Sequence, residues 1–290
     1  MTHAPPTGNM ITRFAPSPTG YLHLGHAHAA LFADRRAREA GGRFLLRIED
    51  VDAARCRDDY DAAIFTDLAW LGLDWETPVM RQSQRHAAYQ AALARLDALG
   101  VLYPCFCTRK EIRAEVARAG AAPHGPTGAP YPGTCRHLSA AEREAHMAAG
   151  RAAALRLDQA KAHALVGYPS WHDRAYETAT ADLSTQGDVV LARKEIGTSY
   201  HLSVTVDDAA QGITLVTRGA DLLESTPVHR VLQALLGLPV PDWHHHELLT
   251  DETGQRLAKR DDARSIASLR TAGATPAEVR ALAGFPGTPQ

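Results

Sequence analysis

Ile11–Phe14 reads as a short strand that Pro16, Pro18 and Gly20 cut off. From His23 to about Ala40 the apolar positions recur at helical spacing, and Gly41-Gly42 supplies the stop. Phe44–Ile48 reads as a second strand, closed by Glu49-Asp50. Two further helical stretches follow, Asp58–Leu71 ending at Gly72 and Arg85–Leu99 ending at Gly100. Strand, helix and strand at this spacing predict a βαβ unit and a parallel sheet. Ligands of such sheets bind beyond the carboxyl ends of the strands. Ser17 and Glu49 both fall at such ends, which places them at one site.

The pattern changes after Val101. Cys105 and Cys107 precede a helical stretch, Thr108 to about Arg118, and Ala119–Gly133 is a Gly-, Ala- and Pro-rich loop. Strand-like segments return at Asp188–Ala192, Leu202–Val206 and Ile213–Thr217, the last followed by Arg218-Gly219-Ala220-Asp221. Glu224–Leu236 is a predicted helix, and His244–Leu249 a strand whose histidines alternate toward solvent. Two small helices are expected near Ser265–Thr271 and Pro276–Ala283, the second with Thr275 as N-cap and Glu278 closing a capping box. The expected fold is α/β, a Rossmann-type doubly wound parallel sheet. Residues 1–100 form its first half, 101–165 an insert, 166–260 the second half and 261–290 a short helical tail.

Composition narrows the class. A chain of 290 residues with 45% hydrophobic content can bury a sizeable core and suits about two domains. With a formal net charge of −2, any RNA contact must come from a local basic surface. Met1–Met10 lacks the apolar centre of a signal peptide, and no uncharged apolar run reaches membrane-spanning length. A cytoplasmic monomer without membrane partners is the expectation. Three of the four cysteines cluster, which argues against a disulfide framework.

The chemistry concentrates in Arg13–His26. His23 and His26 lie three apart and share one face at a positive helix end, where backbone N–H groups favour phosphate. Gly25 between them would let a nucleotide approach closely. Arg256–Arg260, with Gly254 ahead of it, is a basic pentapeptide far along the chain. A ligand carrying carboxylates and an ammonium would need cationic forks and an acid, for which Arg13, Arg218 and Glu49 are candidates, with Tyr200 as a hydroxyl donor. Three thiolates at Cys105, Cys107 and Cys135 plus one N or O donor would make a closed tetrahedral zinc site, and Tyr131 and His137 compete for the fourth place.

The Pro16–His26 run resembles the HIGH motif of class I aminoacyl-tRNA synthetases, and Arg256-Leu257-Ala258-Lys259-Arg260 resembles their KMSKS loop. Arg256 and Ala258 depart from that pattern, while Lys259 keeps the place of its second lysine. Arg-Phe-Ala-Pro-Ser at Arg13–Ser17, Arg-Ile-Glu-Asp at Arg47–Asp50, Tyr200 ahead of Val-Asp-Asp, and Arg-Gly-Ala-Asp from Arg218 are similar to glutamyl-tRNA synthetases. The resemblance implies glutamate binding by Arg13, Phe14, Ala15, Pro16, Ser17, Glu49, Tyr200 and Arg218. It implies ATP binding, with magnesium, by Thr19, His23, Gly25, His26 and Lys259, of which His23, His26 and Lys259 are catalytic. It also favours Tyr131 as the fourth zinc ligand beside Cys105, Cys107 and Cys135.

Only 31 residues follow Lys259, which leaves no room for an anticodon-reading domain. A synthetase core of this kind resembles the glutamyl-queuosine tRNA(Asp) synthetases. Members of that family activate glutamate with ATP without tRNA and place it on the queuosine base of the tRNA(Asp) anticodon. The alternatives are a conventional glutamyl-tRNA synthetase charging the 3′ end of tRNA(Glu), and a non-catalytic RNA- or nucleotide-binding relative.

Overall fold

A computed structural model describes residues 10–108, 110–112, 131–249 and 265–286. Strand β1 (Ile11–Phe14) leads through helix α1 (Leu24–Glu39) to β2 (Arg43–Ile48), which pairs with it in parallel. Gly42 opens that return because a Cβ there would lie 2.0 Å from Met10 O. Helix α2 (Asp58–Trp70) crosses back to β3 (Met80–Arg81), parallel to β2, and α3 (His86–Ala98) follows. Gly72 and Gly100 take the left-handed conformation just past α2 and α3 (φ 77° and 69°), the stops expected from sequence.

The middle of the chain builds β4 (Leu102–Cys105), α4 (Ala140–Ala148), β5 (Ala154–Leu157) and α5 (Gln159–Val166), with β4 and β5 antiparallel. Strands β6 (Ser170–Asp173) and β7 (Glu177–Thr180) form a hairpin, and β8 (Val190–Ala192) returns to pair with β5. Helix α6 (Tyr200–Ala210), β9 (Leu215–Gly219), α7 (Thr226–Leu236) and β10 (Asp242–His246) complete the central architecture. β10 lies between β9 and β6, parallel to both. The parallel sheet of β1–β3 meets the mixed sheet of β7, β6, β10 and β9 where Thr214 N donates to Ile11 O at 3.0 Å and Ile11 N donates to Thr214 Oγ1 at 2.9 Å. The tail supplies α8 (Ile266–Thr271) and α9 (Pro276–Leu282), the latter with the expected Thr275–Glu278 capping box. Their Ile266 and Val279 join Phe14, Leu22 and Ile48 in one core. Among the described residues no helix is long and apolar enough to cross a membrane.

Two expectations are corrected. Leu202–Val206 is not a strand but lies inside α6. Ser199, in extended conformation, caps that helix by accepting from Leu202 N at 3.5 Å, and the two acids that follow are buried against arginines. Capping and burial outweigh the β-branched Val204 and Thr205, whose helix penalty is small. The histidines of β10 do not alternate toward solvent either: His245 and His246 are both buried. β10 is an interior strand, so His245 and its neighbours are enclosed from both sides.

Candidate active site

A cavity of about 620 Å³ opens at the carboxyl ends of β1 and β2. The turn after β1 enters it directly, and Glu49 N donates to Pro16 O at 2.9 Å, so the end of β2 pins the turn. Phe14, Ala15, Pro16, Ser17 and Thr19 line the cavity, joined by His23, His26, Glu49 and Tyr200.

His23 is the N-cap of α1, where its Nδ1 accepts from Gly25 N at 3.1 Å. His26 reaches back so that its Nδ1 accepts from His23 N at 3.2 Å. The two ring centroids lie 3.9 Å apart, with the planes tilted by 36°, at the positive end of the helix. Gly25 does not line the cavity. A Cβ on it would meet the His23 ring at 3.0 Å, so the missing side chain makes room for that imidazole. Lys259 and its neighbours Arg256 and Ala258 lie outside the described residues.

Below this wall lies a buried charge network. Arg13 donates from Nε to Asp208 at 2.9 Å and from Nη1 to Thr217 O, and Arg47 donates to the same Asp208 at 2.7 Å. Arg47 also holds Glu49 at 3.0 Å. Burial raises the Glu49 carboxyl above its ordinary range, against the pull of Arg47. Asp208 is buried too, but Arg13 and Arg47 outweigh that and keep it below the usual carboxylate range. Neither Arg13 nor Arg218 lines the cavity; each stands one layer behind it. Arg218 Nη1 donates to the Tyr200 hydroxyl at 3.1 Å, and through that residue its charge reaches the wall.

Sequence reasoning missed several members. Gln82 lines the cavity and donates to Asp207, and its Gln-Ser-Gln-Arg context was the available signal. Asp52 and Arg193, paired at 3.1 Å, also line the cavity, as does Ser265. His229 and His245 touch Arg218, Asp173 stands behind the His245 ring, and no local pattern announces them.

A second cluster lies around the end of β4 and the turn ahead of α4. The sulfurs of Cys105, Cys107 and Cys135 all fall within 4.8 Å of one another, and His137 does not join them. The Tyr131 hydroxyl sits 3.5 Å from Cys105 Sγ and from Cys107 Sγ, and Cys135 N donates to it at 2.9 Å. Sulfurs around a tetrahedral zinc stand roughly 3.8 Å apart; Cys107 and Cys135 are separated by 3.4 Å. The donor set and its spacing fit such an ion.

The family described as tRNA synthetases class I (E and Q), catalytic domain, matches residues 9–284. The chain is 52% identical to a Glutamyl-Q tRNA(Asp) synthetase of Rhodobacter capsulatus, over 95% of this chain and 100% of that protein. It is 47% identical to a protein of the same name from Nocardia farcinica, over 96% of this chain and 84% of that one. The glutamate-tRNA synthetase structure of Elizabethkingia anophelis superposes with a TM-score of 0.75 at 28% identity, covering 87% of this chain and 53% of that one. The chain belongs to the class I tRNA synthetases of the E and Q type and, within them, to the glutamyl-Q tRNA(Asp) synthetase family.

Proposed function

We propose that the chain is a ligase that activates L-glutamate with ATP, without tRNA, and transfers the glutamyl group to the queuosine base in the anticodon of tRNA(Asp). The observation that carries this reading is the cavity itself. The β1–α1 turn, the paired histidines of α1, Glu49 and Tyr200 converge on it, in a chain that matches a glutamyl-Q relative along that relative's whole length.

In the first step an α-carboxylate oxygen of glutamate attacks the α-phosphorus of ATP. The bond from that phosphorus to the bridging oxygen breaks, and pyrophosphate leaves with its charge. In the second, a hydroxyl of the queuosine ring attacks the glutamyl carbonyl, loses its proton, and AMP departs. No covalent enzyme intermediate is required; positioning and charge stabilisation supply the acceleration. Glu49 takes the ammonium of glutamate, and Ser17, Ala15 and Tyr200 frame the amino acid, with Arg13 and Arg218 behind them. His23 and His26, with the N-terminus of α1, face the phosphates, and Lys259 neutralises the leaving pyrophosphate. Magnesium accompanies ATP and shields its phosphates.

In the same reading Cys105, Cys107, Cys135 and Tyr131 hold one structural zinc, which supplies order to an insert whose own core is small. Residues 1–100 and 166–260 are the halves of the catalytic core, 101–165 the insert and 261–290 the tail, with β8 lent to the insert's sheet.

The test has two parts. Glutamate-dependent exchange between ATP and pyrophosphate is expected without tRNA. Labelled glutamate is then expected on tRNA(Asp) carrying queuosine and not on the same tRNA lacking it. Labelling of the 3′ end of tRNA(Glu) would instead establish a conventional glutamyl-tRNA synthetase.

A further inference from the structure

Arg218 is 6% exposed, and among the described residues its guanidinium meets only uncharged partners. Arginine has donors and no acceptor, so every partner must turn a lone pair toward it. His245 presents Nε2 to Arg218 Nε at 2.9 Å, which places the His245 proton on Nδ1, against Asp173 Oδ2. His229 presents Nδ1 to Nη1 at 3.2 Å, which places its proton on Nε2, 3.2 Å from Nδ1 of His201. Both rings touching Arg218 are therefore neutral. Burial agrees with this: it drives His229 well below its ordinary pKa and lowers His245 despite Asp173. Thr226 Oγ1 accepts from Nη2 at 2.7 Å, and the Tyr200 hydroxyl accepts from Nη1. Asp173, itself held by the amides of Ala175 and Tyr176, stands behind the His245 ring and orients it.

The contrast with the neighbouring arginines is chemical. Arg13 and Arg47 are equally buried, but both bind the carboxylate of Asp208. Each of those two guanidiniums touches a carboxylate directly; Arg218 touches none, and Asp173, the acid of its own network, is held off by the width of the His245 ring.

We propose that His245, His229 and Thr226 form an uncharged cradle that keeps Arg218 an open cation behind Tyr200, and that this cradle selects an amino acid with an anionic side chain over its amide. The inference rests on the reading that Tyr200 faces the side chain of bound glutamate. The Tyr200 oxygen accepts from Arg218, so its O–H is free to donate toward a carboxylate. The cradle residues are positioning residues; none of them lines the cavity.

The test compares Thr226→Asp with Thr226→Asn. The two side chains have nearly the same shape and differ in charge, and an acid in the first turn of α7 suits the helix dipole. Pyrophosphate exchange is measured with glutamate and with glutamine. The Asn variant is expected to keep the preference for glutamate. The Asp variant is expected to lose roughly 10- to 100-fold of it, through the KM for glutamate and not the KM for ATP. His229→Glu against His229→Gln asks the same question from a second position and carries the test should the Asp variant fail to fold. Charge-blind behaviour in active variants, with Asp and Asn equal, overturns the cradle alone. A wild-type protein without glutamate-dependent exchange overturns the functional reading beneath it.

Discussion

Ser265 pairs with His23 in an antiparallel bridge, and the amide of Ile266 next to it donates to Leu22 O at 2.8 Å. The segment that follows the KMSKS-like stretch is thereby fastened to the residue that starts the HIGH-like helix. Lys259 precedes Ser265 by six residues, a tether of about 20 Å at full extension. Lys259→Ala is expected to lower kcat for glutamate-dependent exchange by roughly 100- to 1000-fold, the size of a lost transition-state donor. The KM for glutamate should move little, and steady-state exchange kinetics check both.

Asp208 is the shared counter-ion of Arg13 and Arg47. Asp208→Ala leaves two buried cations without it and should destabilise the fold by about 3–5 kcal/mol in urea unfolding. The same carboxyl gives an acid limb. Its pKa is depressed in the folded state, so its contribution is complete above the unfolded value of about 3.9 and disappears as pH falls through the folded one.

Histidine burial predicts a second, higher window. Burial pushes His201 and His246 down to about 4, so the folded state refuses protons that the unfolded chain accepts below about 6.5. Stability should be full above that pH and fall as the pH drops from 6.5 toward 4. Thermal melting across that range checks it, and His201→Gln should flatten the slope. A slope unchanged in the variant would remove His201 from the account.

The elements that sequence discloses well are those governed by local rules. The Thr275 capping box, the glycine stops after α2 and α3, and β1 from Ile11 to Phe14 all appear where expected. α6 was hidden because its helical character depends on Ser199 as a cap and on Asp207 and Asp208 meeting arginines from β1, β2 and the start of α3. The candidate site divides the same way. The β1–α1 turn and Glu49 are legible as contiguous chemistry, whereas the surroundings of Arg218 come from Asp173, Thr226, His229 and His245, which only the sheet order brings together.

Zinc binding can be read apart from activity. Elemental analysis of the purified protein should find about one zinc per chain, and Cys135→Ser should abolish it. Tyr131→Phe should weaken retention against a chelator, while His137→Gln should not, since His137 stands outside the cluster.

Glu49→Gln tests the ammonium contact. Glutamate KM should rise roughly 10- to 100-fold, with ATP KM unchanged. An equal rise in both constants would mean that Glu49 shapes the cavity as a whole.

The junction between Ile11 and Thr214 has a consequence for biosynthesis. These residues are 203 positions apart, yet Thr214 N donates to Ile11 O and the Thr214 hydroxyl accepts from Ile11 N. On a ribosome adding roughly 5–20 residues per second, β1 waits about 10–40 s for its neighbour. Throughout that interval one side of β1 is an unpaired strand edge, the kind of surface that recruits other chains. Slowed translation of the stretch between β2 and β9 should therefore lower the yield of native protein even though every native contact is unchanged.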